Sequence, residues 1–421
     1  MARKMKASGI EWIGEIPEGW ETCLYKYCCS VQPGYPFDSA KFSNSSTDGF
    51  PLIRIRDITS GEIQTYYTGE YPPNYIVTAG DLLVGMDGDF NVRWWNNDAA
   101  LLNQRCCRVT EKDSVLRRFL YYVLPFTLQR INTLTYATTV KHLANGDILN
   151  SFIAFPSLPA QQNIVHYLDT VCSEIDAMLS KTRSSIEEYK KLKQAVITQA
   201  VTKGVRGERE MKDSGVEWIG EIPKEWVCEK IKYATSISRG LFNHRPRNDE
   251  RYYNGKYPFI QTGDVANATK YIVSYSQTLN ELGKSVSKEF PKGTLTMTIA
   301  ANVGDVAILN FDAYFPDSVV GFIPNKNIRT LYLFYVFSAM KDEFTRTAIK
   351  STQLNLNIDR VKETFIPVTL NVNEQCEIEN YLESTCAEIA GLIAKKEQLV
   401  KELESYKKSL IYEVVTGKRE V

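Results

Sequence analysis

The side chains that most often do chemistry are present in this sequence, but not at the spacings that chemistry needs. Three histidines, His142, His166 and His244, are scattered along the chain, and His166 sits beside Tyr167 in a helical run. A histidine-based triad or metal cluster is therefore not expected. The nine cysteines are odd in number, include the adjacent pairs Cys28/Cys29 and Cys106/Cys107, and form no C-x-x-C. Neither a disulfide framework nor a zinc site is indicated, and they read as reduced thiols. A Mg²⁺-dependent nuclease needs clustered carboxylates with a lysine, yet Pro316-Asp317 is followed by no D-x-K or E-x-K before Lys350. G-x-G-x-x-G, G-x-x-x-x-G-K-[ST] and N-P-P-[YF] are all missing, so no phosphate-cradling loop or amino-methylating site announces itself. What remains is recognition. Lys plus Arg and Asp plus Glu each number 50, so net charge does not point to nucleic acid, but segments 3–6, 105–118 and 239–251 are locally basic. A neutral chain holds a basic face when its acids are segregated.

The elements that position these groups are written twice. "MKASGIEWIGEIPEGW" from Met5 and "MKDSGVEWIGEIPKEW" from Met211 agree at twelve of sixteen positions. "FPLIRIRDIT" from Phe50 answers "YPFIQTGDVA" from Tyr257, "GDLLVGM" from Gly80 answers "GTLTMTI" from Gly293, and "FLYYV" from Phe119 answers "YLFYV" from Tyr332. Between these landmarks, 21–155 and 227–368 show short β-branched or aromatic runs cut by Gly, Pro, Asn or Asp, the pattern of a mixed domain rich in strands and loops. A chain of 421 residues suits two domains of about 150 residues with connecting elements. With 43% apolar and 24% charged residues it reads as globular. No stretch is long enough for a signal peptide or a membrane span, the longest apolar-rich runs lying near 119–128 and 331–340, so a cytoplasmic location is expected.

Each copy ends in a long helical pattern. Ile164, Leu168, Val171, Ile175, Met178, Tyr189, Leu192 and Val196 follow a 4-3 alternation in the first, broken only at Thr182 and Ser185. In the second, the same register holds Ile378, Leu382, Ile389, Leu392, Leu399, Leu403, Tyr406 and Leu410, 214 residues on without a gap. Two such amphipathic rods need partners along their seams, and each is the other's obvious one. The boundaries are set at 1–157, 158–206, 207–370 and 371–421: globular domain, rod, globular domain, rod. The repeated phrase itself, with Trp12, Ile13, Ile16, Pro17 and Trp20 apolar and only Glu11 and Glu15 charged in its core, reads as a packing anchor and not a DNA contact.

On these motifs the chain resembles the specificity subunit of type I restriction-modification enzymes over essentially its whole length. The resemblance rests on W-I-G-E-I-P-x-x-W at Trp12–Trp20 and Trp218–Trp226, "GMDGDFNVRWW…LLNQRCCRV" from Gly85, "TTVKHL" from Thr138, and the Q-x-x-I approach to each rod at Gln161 and Gln375. "PAQQNIV" from Pro159 and "NEQCEIE" from Asn373 stand for P-x-x-E-Q-x-x-I, the first with Ala160 in place of Glu. The resemblance implies an α+β chain with two tandem mixed α/β target-recognition domains, each followed by a long helix, the helices pairing as an antiparallel coiled coil with pseudo-two-fold symmetry. It implies a non-catalytic subunit that reads double-stranded DNA and carries two adenine methyltransferase subunits, with motor-nuclease restriction subunits joining to restrict. No cofactor is expected here; S-adenosylmethionine belongs to the methyltransferase.

Residues 32–49 and 238–256 differ in length and charge between the copies, so an asymmetric, split target is expected. The candidate DNA contacts are Arg93, Trp94, Asn96, Asn97, Gln104 and Lys141 in the first domain. In the second they are Asn243, His244, Arg245, Arg247, Asn302, Gln353 and Asn355. Arg suits guanine and Asn or Gln suits adenine, while Lys141 and Arg247 equally suit phosphate. One of Trp94 and Trp95 is expected in the core. Arg54 and Arg56, alternating with Leu52, Ile53, Ile55 and Ile58, fit a strand that faces either DNA or solvent. Charged helix faces bearing Glu187, Glu188, Lys190 and Lys191, or Glu397, Lys401, Glu404 and Lys408, suit solvent or partner helices. Two other classes stay open: an autonomous methyltransferase or nuclease with an unrecognised active site, and a coiled-coil adaptor that does not touch DNA.

Overall fold

A computed structural model describes residues 3–134, 141–347, 349–350 and 354–421. Two helices dominate it, Leu158–Lys203 with 46 residues and Val372–Val415 with 44. Both stop where the sequence places a glycine. Gly204 and Gly417 have φ of +73°, the left-handed conformation that ends a helix without a Cβ penalty. At Gly417 a Cβ would also lie 2.4 Å from Pro17 Cδ, so the repeated phrase closes over the helix end.

The chain forms two compact units, one of residues 1–182 with 398–421 and one of 183–397. In the first, strands Val92–Trp94, Leu82–Gly85, Cys106–Glu111 and Cys29–Pro33 make an antiparallel sheet in that order. A five-stranded sheet adjoins it in sequence, ordered Phe42–Ser43, Tyr66–Tyr67, Phe50–Ile53, Ala100–Leu102 and Ile76–Val77. In the second unit, Thr235–Arg239, Val319–Pro324, Leu295–Thr298, Val306–Leu309 and Tyr271–Ile272 form the counterpart of the antiparallel sheet, extended by one parallel strand. Gln277–Leu279, Tyr253–Phe259, Ala313–Tyr314 and Glu289–Phe290 form the other. The two tandem mixed domains and the long helices expected from the sequence are thus present.

Each unit builds its floor from both long helices. In the first, Leu168, Cys172, Ile175 and Leu179 share a core with Leu410, Val414 and Val415, and Lys407 Nζ reaches Asp176 at 2.6 Å. In the second, Ile378, Leu382 and Cys386 share a core with Ile197, Ala200 and Val201. The N-terminal half of one helix meets the C-terminal half of the other in both, so the pairing is antiparallel.

The register of that pairing differs from the heptad read in the sequence. Met178, Leu192, Leu392, Leu399 and Tyr406 are exposed, whereas Cys172, Leu179, Ile186 and Ile197 are buried. The buried isoleucines Ile164, Ile175, Ile186 and Ile197 recur every eleven residues, and Ile378, Ile389, Val400 and Ile411 repeat the series, the last two partly buried. A stripe drawn at about 3.5 residues per turn drifts by roughly 20° per heptad on an α-helix, while an eleven-residue repeat runs at about 3.67. Over a helix this long the first leaves the seam and the second stays on it.

The repeated phrase packs as expected of an anchor. Its turns form hairpins, Met5–Ala7 with Glu15–Pro17 and Met211–Asp213 with Glu221–Pro223. Ile13, Ile16 and Trp20 are at most 3% exposed. Trp12 is only half-buried, its ring near Phe126 and Tyr412, with its carbonyl accepting from the Tyr412 hydroxyl at 2.9 Å. The rods' approach motif has an equally plain role. Gln161 is fully buried; its Oε1 accepts from Leu116 N and its Nε2 donates to the Ser114 and Pro156 carbonyls. Gln375 repeats this with Arg329 N and the Asn327 and Thr369 carbonyls. The Glu present only in the second copy, Glu374, is 1% exposed and accepts from Arg209, Trp226 and Thr369.

Candidate nucleic-acid interface

In the first unit, the short strand Val92–Trp94 sets Arg93 and Trp94 beside two different helices. Arg93 donates from Nε to the Ile58 carbonyl at 2.7 Å and from Nη2 to the Thr59 carbonyl at 2.6 Å. It thereby satisfies the last turn of helix Ile55–Ser60, whose C-cap Gly61 lies against its guanidinium. Asn97 donates to the Gly61 carbonyl at 2.8 Å, and Asn96 is exposed. Trp94 is half-buried under the Arg118 guanidinium, 4.6 Å from its ring centroid, whereas Trp95 is fully buried and donates to the Asp98 carbonyl. Of the pair, Trp95 is the core residue.

The turn Asn103–Arg105 presents Gln104 and Arg105 to solvent. Lys141 Nζ bonds the Asn132 side chain at 2.9 Å, and its carbonyl accepts from Gly88 N. Next to it, His142 Nδ1 lies 2.7 Å from Asp87 Oδ1, and Arg105 Nη1 lies 3.5 Å from the same oxygen. Three loops separated in sequence therefore meet at Asp87.

Arg54 and Arg56 do not continue a strand. Ile53 ends the strand Phe50–Ile53 and Arg54 is the N-cap of a one-turn helix, its N–H donating to Asp57 Oδ2 at 2.8 Å. Asp57 is buried, and desolvation raises its carboxyl above the usual range despite that bond. Buried Asp57 at the third helical position is the residue that breaks the alternation. Arg56 Nη2 donates to Thr65 Oγ1 at 2.8 Å and lines a recess of about 540 Å³ with Asn44, Ser46, Gln64 and Tyr66.

In the second unit the loop after Thr235–Arg239 carries the candidates. Asn243 is exposed and its N–H bonds the Val286 carbonyl. His244 stacks on Tyr252 at 4.0 Å and contacts Asp249 at 3.0 Å. Arg251, then His244, holds the Asp249 carboxyl well below its usual range. Arg247 Nη2 bonds Asp317 Oδ1, and Arg245 Nη2 lies 3.7 Å from Asp317 Oδ2. Arg247 also lines a 260 Å³ recess with Asn248, Gln261 and Gln277, the last two joined at 2.9 Å. Asn302 is exposed in a different turn, its carbonyl accepting from Thr298 Oγ1. Asn355 lies in the strand Leu354–Asn355, paired with Ile349–Lys350. Gln353 lies outside the described residues, as do 138–140 of the "TTVKHL" motif.

The structure thus brings Gln104 and Lys141 into the loop cluster at Asp87, and Arg245 with Arg247 to Asp317. It places Arg93 and Asn97 on a helix end and Asn302 apart. Sequence reasoning passed over Asp87, Arg105, His142 and Asp317. Arg105 was signalled by the basic segment and His142 by "TTVKHL", but nothing local ties either to Asp87. The chemistry available is hydrogen-bond donation from guanidinium, imidazole and amide groups. Burial pushes the thiols of Cys28, Cys29 and Cys107 up to about 12, which leaves them protonated at neutral pH. Among the described residues no three His, Cys, Asp or Glu gather to hold a metal, and no helix is long and apolar enough to cross a membrane.

The sequence model of the family described as the type I restriction modification DNA specificity domain matches residues 17–188 and 237–402. The type I restriction enzyme EcoBI specificity subunit of Escherichia coli is 28% identical over 408 residues, 92% of this chain and 83% of that one. The MjaVIII specificity subunit of Methanocaldococcus jannaschii is 23% identical over 425 residues, 96% and 93% of the two chains. Among solved structures, one from work on complex assembly and conformational transition of the type I R-M system superposes with a TM-score of 0.73 at 16% identity, covering 96% of this chain and 99% of that one. The HsdS subunit from Thermoanaerobacter tengcongensis gives 0.50 at 15% identity, covering 96% and 98%. These structural likenesses show the fold.

Proposed function

The chain belongs to the family of type I restriction-modification DNA specificity proteins, and from that premise we propose that it is the subunit that reads the target of such a complex. The observation that carries the reading is the family match across both copies of the repeat, 17–188 and 237–402. The structure supports it with a division of labour. The apolar anchors and hooks that the two copies share are buried: Ile13, Ile16 and Trp20, Ile219, Ile222 and Trp226, and Gln161 and Gln375. What they do not share reaches the surface, with the exposed Gln104 and Arg105 on one turn answered by the half-buried Asp317 and Ser318 on the other.

Each unit reads one half of a split target, and because their loops carry different donors and acceptors the halves differ in sequence. The chain itself does no catalysis. It holds two adenine methyltransferase subunits, which bind S-adenosylmethionine, and motor-nuclease subunits join them for restriction. The exposed Glu187, Glu188, Lys190 and Lys191 on one long helix, and Glu397, Lys401, Glu404 and Lys408 on the other, offer charged helix faces to those partners.

The test is single-molecule sequencing of DNA from cells with and without this gene. One split, asymmetric motif of methylated adenine should disappear with the gene. A continuous or palindromic motif, or methylation or cleavage by the purified chain alone, would overturn the reading.

A further inference from the structure

Each unit has an aspartate, on a loop where the copies diverge, that faces two exposed nitrogen-bearing side chains. In the first, Asp87 is 22% exposed and faces Arg105 and His142, which are 56% and 53% exposed. In the second, Asp317 at 36% faces Arg245 and Arg247 at 54% and 44%. These two clusters are not copies of each other. The bond from Leu143 N to the Met86 carbonyl recurs as Leu356 N to the Ile299 carbonyl, so Ala300 stands where the first copy has Asp87 and Asn355 where it has His142. Val31 pairs with Val109 and Ile237 with Phe322, which equates Gln104 and Arg105 with Asp317 and Ser318. The same carboxylate-held arrangement has thus been built twice, from different positions, on the loops where the copies diverge.

An anion on a surface that meets DNA works against phosphate attraction, and a cation meant for phosphate is better left unpaired. A cation meant for a base edge is different. Arginine reads guanine with two N–H groups aimed at O6 and N7, and its long side chain must be held to present them. Arg105 commits one nitrogen to Asp87 and Arg247 commits one to Asp317, leaving further guanidinium N–H groups on side chains that are 56% and 44% exposed.

We infer that Asp87 and Asp317 are positioning residues, each aiming an arginine, Arg105 and Arg247 respectively, at a guanine in its own half-site. This rests on the reading of the chain as the target-recognising subunit. His142 shares Asp87 Oδ1 with Arg105, and Arg245 approaches the second oxygen of Asp317, so each carboxylate has a second partner that braces it.

The experiment maps methylated adenine in cells carrying the wild-type gene, Asp87→Asn or Asp317→Asn, and measures gel-shift binding of each full chain to a duplex lacking the target. Wild-type cells that show no gene-dependent motif sink the recognition reading itself. Given a wild-type motif, each half-site should contain a guanine. Asp87→Asn should relax that guanine by about tenfold to hundredfold, the range of a lost bidentate contact, in one half only, and Asp317→Asn in the other. Binding to non-target duplex should hold or rise, since an anion has been removed. If an Asp variant abolishes modification, Arg105→Ala and Arg247→Ala, on exposed side chains, must relax the same positions. An unchanged motif in a methylating variant, or weakened binding to all duplexes alike, overturns the inference.

Discussion

At the scale of single residues, the second copy carries a buried charge that the first lacks. Glu374 accepts from Arg209 at 2.6 Å, Trp226 Nε1 at 3.1 Å and Thr369 Oγ1 at 3.0 Å, where the first copy has Ala160. Removing Glu374 takes the buried partner from Arg209, which keeps Glu225 and the Lys203 carbonyl, and leaves the Trp226 indole N–H without its acceptor. Glu374→Ala is expected to destabilise the second unit by about 3 kcal/mol, measured as a shift in urea midpoint. A change below about 0.5 kcal/mol, the range of ordinary surface substitutions, would show that Glu225 and water suffice for Arg209. What was legible at this scale is what the sequence wrote twice. Trp20 and Gln161 have visible counterparts in Trp226 and Gln375, and all four proved buried. The pairing of Asp87 with His142, 55 residues away, had no such counterpart. It depends on loop conformations that local spacing does not encode. Arg93 shows the opposite limit, since a loop-like arginine of the right type for guanine bonds a helix terminus instead.

At the scale of elements, the choice between a seven- and an eleven-residue repeat is a choice between particular side chains. A heptad seam puts Met178 in the interface; the structure leaves it 55% exposed and buries Ile175 to 5%. Ile175→Ala should therefore cost about 2–4 kcal/mol, as for a truncated core aliphatic. Met178→Ala should change stability by less than about 0.5 kcal/mol. Thermal unfolding of both variants decides it, and equal costs would restore the heptad. The sequence showed the long helices and their shared register because, past Pro159 in the first turn of one and apart from Gly391 in the other, neither run contains proline or glycine. It concealed the seam because two stripes a few degrees apart both look apolar until drift accumulates. The run at Arg54 and Arg56 was misread as strand for a related reason: six residues are too few for period alone to separate strand from a single helical turn, and the capping Asp57 decided it.

At the scale of the molecule, the first unit is not a contiguous stretch of chain: residues 1–182 and 398–421 make it up, with the whole second unit, 183–397, written between them. Leu410, Val414 and Val415 complete the core that begins at Ile10. A chain ending at Glu397 should lose the protected core of the first unit while keeping that of the second, whose residues 183–397 it retains. Hydrogen exchange resolved by peptide would show this as fast exchange throughout 82–128 with slow exchange preserved at 295–337. Slow exchange in both segments would mean that the first unit closes its core without the second long helix.

That interleaving also sets an order of assembly during synthesis. The first unit is translated through residue 182 early, yet it waits for 398–421 before Leu168, Cys172, Ile175 and Leu179 meet their partners. At roughly 5–20 residues per second the remaining 240 or so residues take about 12–48 s. The domain made first on the ribosome is finished last, and its half of the first long helix emerges with an uncovered apolar face. A chaperone that binds such a face should be found on nascent chains between these two lengths and not on released protein.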